Sequence, residues 1–89
     1  MIIEFDKSFE KSLEKLKNKS LFTKIEKTII EFENAKSISE LSNIKKLSGY
    51  KLYYRVRIGE YRIGFEKISD NRFRFILIAH RKDLYNFFP

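Results

Sequence analysis

The chain has 89 residues, of which 43% are hydrophobic, and its nine Phe and five Tyr can supply the apolar area that one small domain needs. The absence of Cys excludes disulfide bonds and thiolate metal sites, and it fits a reducing compartment. The N-terminal residues lack the basic segment of a signal peptide, and no apolar run approaches the roughly 18 residues of a transmembrane helix. We therefore expect a single cytoplasmic domain over residues 1–89, without membrane association.

The net charge of +7 is confined to the second half of the chain. Residues 1–43 hold eight Lys and eight acidic residues, whereas residues 44–89 hold five Lys, six Arg and four acidic residues. A requirement for solubility would spread the positive charge over both halves. Arg also presents a planar fork of donors that matches phosphate better than Lys does. The distribution favours a polyanion-binding face, with an ordinary solvated surface as the alternative.

The first half of the chain predicts a short strand followed by two helices. Residues 2–5 are apolar enough for a strand, and Asp6 is a suitable N-cap for a helix. A break at residues 18–20 separates this helix from a second one, and Ser37 and Glu40 can form a capping box for one further turn. Apolar residues with helical spacing are Phe9, Leu13 and Leu16, and then Phe22, Ile25, Ile29 and Phe32. We expect the two helices to form a hairpin packed on one face of a sheet.

In the second half the apolar period changes from 3.6 to 2, which predicts strands at residues 50–58, 61–67 and 72–79. Turn residues separate these strands at positions 59–60 and 70–71.

The C-terminal residues 80–88 predict a short helix or coil that Leu84 and Phe88, four residues apart, attach to the body of the domain. Taken together, the elements predict an α+β fold. Its small antiparallel sheet consists of the short N-terminal strand and a three-stranded C-terminal meander. The helical hairpin packs on one face of this sheet, and a short C-terminal helix follows the meander.

The hairpin loop at residues 59–60 determines which side chains share a face of the sheet. Gly at its first position favours a type II′ turn, which places Arg57 opposite Arg62 and Arg55 opposite Gly64, all away from the apolar face. Like charges opposite each other destabilise a sheet by up to about 1 kcal/mol, so a purely structural sheet has no reason to carry such a pair. Gly64 is expected to leave an open floor beside Arg55. The cluster predicts a phosphate-binding site.

Three segments resemble the RelE/ParE superfamily of toxins from bacterial and archaeal toxin–antitoxin pairs. They are Leu47-Ser48-Gly49, the hairpin YRVRIGEYRIG from Tyr54 to Gly64, and His80-Arg81-Lys82-Asp83-Leu84-Tyr85. The order of strand, two helices and three strands agrees over almost the whole chain. The resemblance implies a ribosome-associated endoribonuclease that cuts mRNA in the decoding site without a metal ion. It also implies a cognate antitoxin that holds the toxin inactive.

The resemblance assigns four catalytic residues. Arg55 matches a basic strand position, Arg62 matches the arginine of the Tyr-Arg element, and Arg81 and Tyr85 match the late arginine and tyrosine. The best-studied branch of the family has a lysine two residues before the position of Arg55, where this chain has Tyr53. The identity of the general base is therefore open.

The chemistry of RNA cleavage can be matched to these residues. Attack by the 2′-hydroxyl needs a proton acceptor, stabilisation of the charge that develops on phosphate, and a proton donor. Fixed guanidinium groups supply the second of these, and Tyr85 can stack on a base or transfer a proton. His80 is the one side chain of the type that ordinarily exchanges protons near neutral pH, although a lone His at a strand end is more often structural.

Further positions are candidate RNA contacts. Lys51 or Arg57 can replace the charge of the missing lysine, and Lys45 and Lys46 either extend the phosphate track or are simply solvated. The predicted RNA-binding set is Lys45, Lys46, Lys51, Tyr53, Arg57 and His80.

Two other functions fit the same scaffold. A ParE-like toxin shares the fold but binds and poisons DNA gyrase, and an inert nucleic-acid-binding module is a third possibility. The joint presence of Arg55, Arg62, Arg81 and Tyr85 favours the nuclease, with the ribosome, mRNA and an antitoxin as partners. One His and no Cys do not make a usual zinc site, and the acidic residues form no calcium loop. We therefore expect no metal and no small-molecule cofactor.

Overall fold

The computed structural model describes residues 1–89 and contains one five-stranded sheet, three α-helices and a short 3-10 helix at Ile38–Glu40. The strands are β1 (Ile2–Phe5), β2 (Ile44–Lys46), β3 (Tyr53–Ile58), β4 (Tyr61–Ser69) and β5 (Arg72–His80). The α-helices are α1 (Lys7–Glu14), α2 (Lys19–Asn34) and α3 (Leu84–Phe87). The predicted α+β class is confirmed. None of the helices has both the length and the hydrophobicity that crossing a bilayer requires.

Polar side chains cap both N-terminal helices. Asp6 accepts a hydrogen bond from the Ser8 N–H at the start of α1, and Asn18 accepts one from the Leu21 N–H at the start of α2, each at 3.2 Å. The break between the helices therefore ends at Asn18 and not at position 20. The buried stripe of α2 is also rotated from the predicted one, since Leu21 is 5% exposed and Phe22 is 38% exposed.

The strand order β1-β5-β4-β3-β2 adds two features to the predicted sheet. The first is that β1 runs parallel to β5, so that the sheet is mixed and not wholly antiparallel. No short turn joins these two strands, and the apolar period of a strand does not encode its direction. The second is β2, which pairs antiparallel with β3 at one edge. Three residues are too few to show the alternation that identifies a strand.

The strand β3 begins at Tyr53, whereas the sequence pattern predicted a start at Tyr50. The chain turns at Gly49, whose φ is 82°, and the Leu47 N–H donates to the Tyr53 carbonyl at 2.9 Å. This hydrogen bond closes the connection between β2 and β3. Tyr50 and Leu52 are about half exposed in that connection. The apolar–polar alternation that predicted a strand from Tyr50 therefore begins in a loop.

The main hydrophobic core lies between the helices and one face of the sheet. Phe65, Phe73 and Phe75 are fully buried there. The Phe75 ring packs edge-to-face with Phe9 and Phe32, at centroid distances of 5.6 and 5.1 Å. Because α1 and α2 cover this face, the strand residues of opposite parity project from the other face.

Ion pairs attach the edge strand β1 to β5 on that other face. Glu4 accepts hydrogen bonds from Arg72 Nη1 at 2.7 Å and from Arg74 Nη2 at 3.2 Å. Arg74 also approaches the Glu66 carboxylate at 3.7 Å. The hydrogen bonds from Arg72 and Arg74 hold the pKa of Glu4 below its ordinary value of 4.5.

Acid should therefore weaken the attachment of β1. A carboxyl group with a lowered folded-state pKa stabilises the fold above its unfolded pKa, and this contribution is lost as pH falls through the folded value. We expect the urea unfolding midpoint to decrease as pH falls below 4.5, and Glu4→Gln to flatten that decrease. Glu26→Gln removes an exposed carboxylate without an ion-pair partner and should keep the wild-type profile. Identical pH profiles for Glu4→Gln and the wild type would contradict this role.

Candidate nucleic-acid interface

The hairpin of β3 and β4 has the predicted register. Arg57 pairs with Arg62, and Arg55 pairs with Gly64. Gly59 has a φ of 58° and the residue after it has a negative φ, as a type II′ turn requires. The turn chemistry thus places three arginines on the sheet face that α1 and α2 leave uncovered. We call the surface formed by Arg55, Arg57 and Arg62 the arginine face.

One residue, Asn43, holds two of these guanidinium groups. Arg55 Nη1 donates to the Asn43 carbonyl oxygen and Arg57 Nη2 donates to its side-chain Oδ1, both at 3.1 Å. Asn43 has a φ of 65°, a conformation that Asn tolerates better than most residues. Asn43 is not among the predicted site residues, and its tolerance of a positive φ is the only sequence signal that could have identified it.

Arg62 folds back onto the hairpin turn. Its Nη1 donates to the carbonyl oxygens of Gly59, at 2.8 Å, and Tyr61, at 2.9 Å. Burial lowers the pKa of Arg62, and the positive charges of three neighbouring arginines lower it further. These neighbours are Arg55, Arg57 and Arg81. The guanidinium group therefore lies in a locally positive environment, although an arginine remains charged at pH 7.

The six arginines of the chain divide into two groups. Arg72 and Arg74 form salt bridges with Glu4, and Arg81 forms one with Glu60. The three members of the arginine face form none, and their side-chain hydrogen bonds all end on carbonyl or amide oxygens. The arginine face is thus a cluster of positive charge that oxygen acceptors hold in place and that has no salt-bridge partner.

Arg81 and His80 lie at the tip of the hairpin. Glu60 accepts a hydrogen bond from Arg81 Nε at 2.8 Å, and its backbone carbonyl accepts one from the Arg81 N–H at 2.8 Å. His80 pairs with Tyr61, whereas the adjacent Arg62 pairs with Ala79. His80 consequently lies on the opposite face of the sheet from Arg62, with its ring against that of Tyr61 at 5.6 Å.

A groove of about 470 Å³ lies beside the arginine face and contains Tyr85. Its lining residues are Lys45, Lys46, Leu47, Ser48, Tyr50, Tyr85, Phe88 and Pro89. We call it the Tyr85 groove. The Tyr85 side chain is 60% exposed, so its ring is open to a ligand. Lys45 pairs with Arg55 and shares its face, which links the groove to the arginine face, whereas Lys46 pairs with Tyr54.

The open floor predicted at Gly64 is absent. Gly64 is buried because the Phe88 ring lies directly over it, and Tyr53 packs edge-to-face on the same ring at 5.5 Å. Phe88 comes from the end of the chain, so no local pattern around Gly64 could reveal this contact. Tyr53 is half buried by the packing, and Lys51 is exposed in the loop before β3.

Comparison with known proteins identifies the family. A family model described as the ParE toxin of a type II toxin–antitoxin system, parDE, matches residues 3–85. Toxin RelE3 of Methanocaldococcus jannaschii is 38% identical over 90 residues, which cover all of both chains. The chain belongs to the RelE/ParE family of toxins. Its similarity to RelE3 along the whole chain makes it a RelE-type toxin of a type II toxin–antitoxin system.

Solved structures share the fold of this RelE/ParE toxin. The RelB–RelE antitoxin–toxin complex from Methanococcus jannaschii matches with a TM-score of 0.79 and 36% identity, over 97% of this chain and 99% of that chain. The archaeal RelE–RelB complex from Pyrococcus horikoshii OT3 gives 0.72 and 21%, over 93% and 97%. The isolated RelE toxin of E. coli gives 0.69 and 20%, over 96% and 90%. At these lower identities the match shows the fold alone.

The fold of this RelE/ParE toxin brings most of the predicted site residues together. Lys45 joins the three members of the arginine face, and Tyr85, Lys46 and Lys45 share the Tyr85 groove. Arg81 stands at the hairpin tip near Arg62, while His80 faces the other side. No three His, Cys, Asp or Glu side chains come together as a metal site would require.

Proposed function

We propose that this RelE/ParE toxin is a ribosome-dependent endoribonuclease that cleaves mRNA and so inhibits translation. The observation that carries the proposal is the arginine face, where three guanidinium groups are held in place without a carboxylate partner. A phosphodiester can supply the counter-charge and accept their remaining donors, because guanidinium and phosphate groups match in geometry. The adjoining Tyr85 groove offers space and an exposed aromatic ring to a nucleotide.

The proposed reaction is attack by a 2′-hydroxyl on the adjacent phosphorus. The bond between the 2′-oxygen and phosphorus forms as the bond from phosphorus to the 5′-oxygen breaks. A base takes the 2′-hydroxyl proton, and an acid protonates the departing 5′-oxygen. Arg55, Arg62 and Arg81 stabilise the negative charge that develops on the phosphate oxygens, as preorganised donors do. Tyr85 either stacks on a base or transfers one of the two protons.

The other predicted contacts extend from this centre. Lys45 and Arg57 continue the phosphate track on the exposed sheet face. Lys46 lines the Tyr85 groove, and Lys51 is exposed in the loop before β3. Tyr53 packs edge-to-face against the Phe88 ring and acts through that contact. His80 lies on the far face, so we assign it a contact with RNA at the hairpin tip and no proton transfer.

A cognate antitoxin is the proposed protein partner. Toxins of this fold are found in complexes with RelB, as in the Methanococcus jannaschii and Pyrococcus horikoshii structures. We propose that acidic residues of the antitoxin meet the arginine face and that the antitoxin covers or displaces the segment around Arg81 and Tyr85. Complementary charge should also speed its association with the toxin.

The decisive experiment adds the purified toxin to ribosomes programmed with a defined mRNA and maps the cuts. We expect cuts within the ribosome-bound segment. The affinity for ribosomes should fall about tenfold or more between 50 and 200 mM salt, because phosphate binding releases counterions.

The mapping also tests the alternative target. Uncut mRNA together with inhibited DNA supercoiling by gyrase would contradict the nuclease and support the gyrase-binding function. The match to a family model described as a ParE toxin motivates this comparison. An affinity independent of salt would show that the arginine face does not bind phosphate.

A further inference from the structure

The Phe88 ring packs directly over Gly64, in a space on the sheet surface that a side chain at position 64 would fill. We call this space the slot. A Cβ atom added to Gly64 would lie 2.5, 2.6 and 2.7 Å from the Cδ2, Cγ and Cε2 atoms of the Phe88 ring. Real Cβ atoms do not approach ring carbons so closely, and an aromatic ring cannot bend out of the way. The Phe88 side chain is 3% exposed although it belongs to the penultimate residue of the chain. The slot therefore fixes the position of a chain end.

The slot belongs to a small hydrophobic cluster that is separate from the main core. Its buried members are Leu47, Leu84 and Phe88, on the sheet face opposite the one that α1 and α2 cover. The helix α3 has four residues, which is far too short to be stable without tertiary contacts. The position of α3 consequently depends on this cluster.

Tyr85 lies between the two anchors of this helix. Leu84 is fully buried, Phe88 fills the slot, and the Phe88 N–H donates to the Leu84 carbonyl at 2.9 Å. Tyr85 itself is exposed and lines the Tyr85 groove with Lys45 and Tyr50. Because the residues on either side are fixed, the phenol ring is held at the groove even though it is mostly solvent-exposed.

We infer that the seating of Phe88 over Gly64 is a positioning device that holds Tyr85 in place for RNA cleavage. The inference rests on the proposed nuclease function. Phe88 and Gly64 act through Tyr85, so they are positioning residues and not catalytic ones. Fixing a group that orients the substrate or transfers a proton removes an entropic cost from the chemical step, whereas mobility of residues 84–88 restores that cost. Loss of the contact between Phe88 and Gly64 should therefore lower the cleavage rate much more than the ribosome affinity.

The test compares Gly64→Ala and Phe88→Ala with the control Phe87→Ala. The control removes the same side chain from the neighbouring residue, where it is 70% exposed and outside the cluster. We expect faster amide hydrogen exchange in residues 84–88 for both test variants. We also expect single-turnover mRNA cleavage to slow by about tenfold, with a much smaller loss of ribosome affinity. Phe88→Leu, which keeps an apolar side chain in the slot, should retain most of the activity.

A double variant distinguishes the shared mechanism from two unrelated defects. Gly64→Ala combined with Phe88→Ala should cleave no more slowly than either single variant, because both changes release the same tail. Additive losses would overturn the inference. Faster hydrogen exchange in residues 84–88 together with a wild-type cleavage rate would overturn it as well. Faster exchange that extends through β4 and β5 would also overturn it.

The outcomes also separate this inference from the proposed function. If the unaltered protein leaves ribosome-bound mRNA uncut, the nuclease function fails, and Tyr85 positioning for cleavage fails with it. The exchange measurement still shows whether Gly64 and Phe88 fix the tail. If the unaltered protein cuts mRNA and the variants with a released tail cut it equally fast, only the positioning inference fails.

Discussion

Replacing Arg62 with alanine is expected to slow single-turnover mRNA cleavage by about 10²-fold or more, with a much smaller loss of ribosome affinity. Two backbone carbonyls hold its guanidinium group in place, and the positive charges of three nearby arginines act on it. A phosphate whose negative charge grows in the transition state gains most from such a fixed donor. The lost stabilisation should therefore appear chiefly in the rate.

Two further variants make the Arg62 result specific. Arg62→Lys keeps the charge but loses the planar guanidinium fork that matches phosphate, so it should recover only a small part of the rate. Arg72→Ala removes an arginine that is already paired with Glu4, and its cleavage rate should stay near that of the wild type. Circular dichroism verifies that each variant is folded. Equal slowing by Arg62→Ala and Arg72→Ala would mean that net charge alone determines the rate.

The hairpin at the centre of the site could be predicted from the sequence because its geometry is local. Gly59 selects the turn, the turn fixes the register, and the period of two then determines the face of each side chain. The pairing of Arg57 with Arg62 needed no information from elsewhere in the chain. The same alternation also separates His80 from Arg62, because His80 pairs with Tyr61 and Arg62 pairs with Ala79.

The remaining features depend on contacts between distant parts of the chain. The covering of Gly64 by Phe88 and the pairing of Glu60 with Arg81 join segments whose relative positions no periodic pattern encodes. The direction of β1 is similar, because a parallel neighbour and an antiparallel one require the same apolar pattern. Asn43 illustrates a third case, in which an isolated polar residue becomes important only when two arginines converge on it.

These nonlocal contacts change the interpretation of the arginines. The sequence shows six of them in the second half of the chain and does not distinguish among them. In the fold, Arg72 and Arg74 form salt bridges with Glu4, and Arg74 forms another with Glu66, whereas the arginine face forms no salt bridge. The suitability of a face for phosphate therefore depends on how many of its arginines lack a salt-bridge partner, and less on the total number of arginines.

Reversing the charge at Arg57 should have opposite effects on stability and on binding. Glu at this position would lie directly opposite Arg62 and replace a repulsive cross-strand pair with an attractive one. Such pairs contribute about 0.2–1 kcal/mol, so we expect the free energy of unfolding of Arg57→Glu to increase by roughly that amount. The contact of Arg57 with Asn43 is lost, but the Asn43 amide can rotate and donate to the new carboxylate.

Binding should change in the other direction. The carboxylate of Arg57→Glu neutralises Arg62 and repels phosphate, so the affinity for programmed ribosomes should fall about tenfold or more, and the dependence of log affinity on log salt should become shallower by about one to two units. Arg57→Gln, which removes the charge without reversing it, should give intermediate values in both measurements. Urea unfolding and ribosome titrations over a salt series provide the two readouts. A variant that is more stable yet binds normally would show that the arginine face does not contact RNA. One that loses both stability and binding would show that Arg57 has a structural role, because removing a purely repulsive pair should not destabilise the sheet.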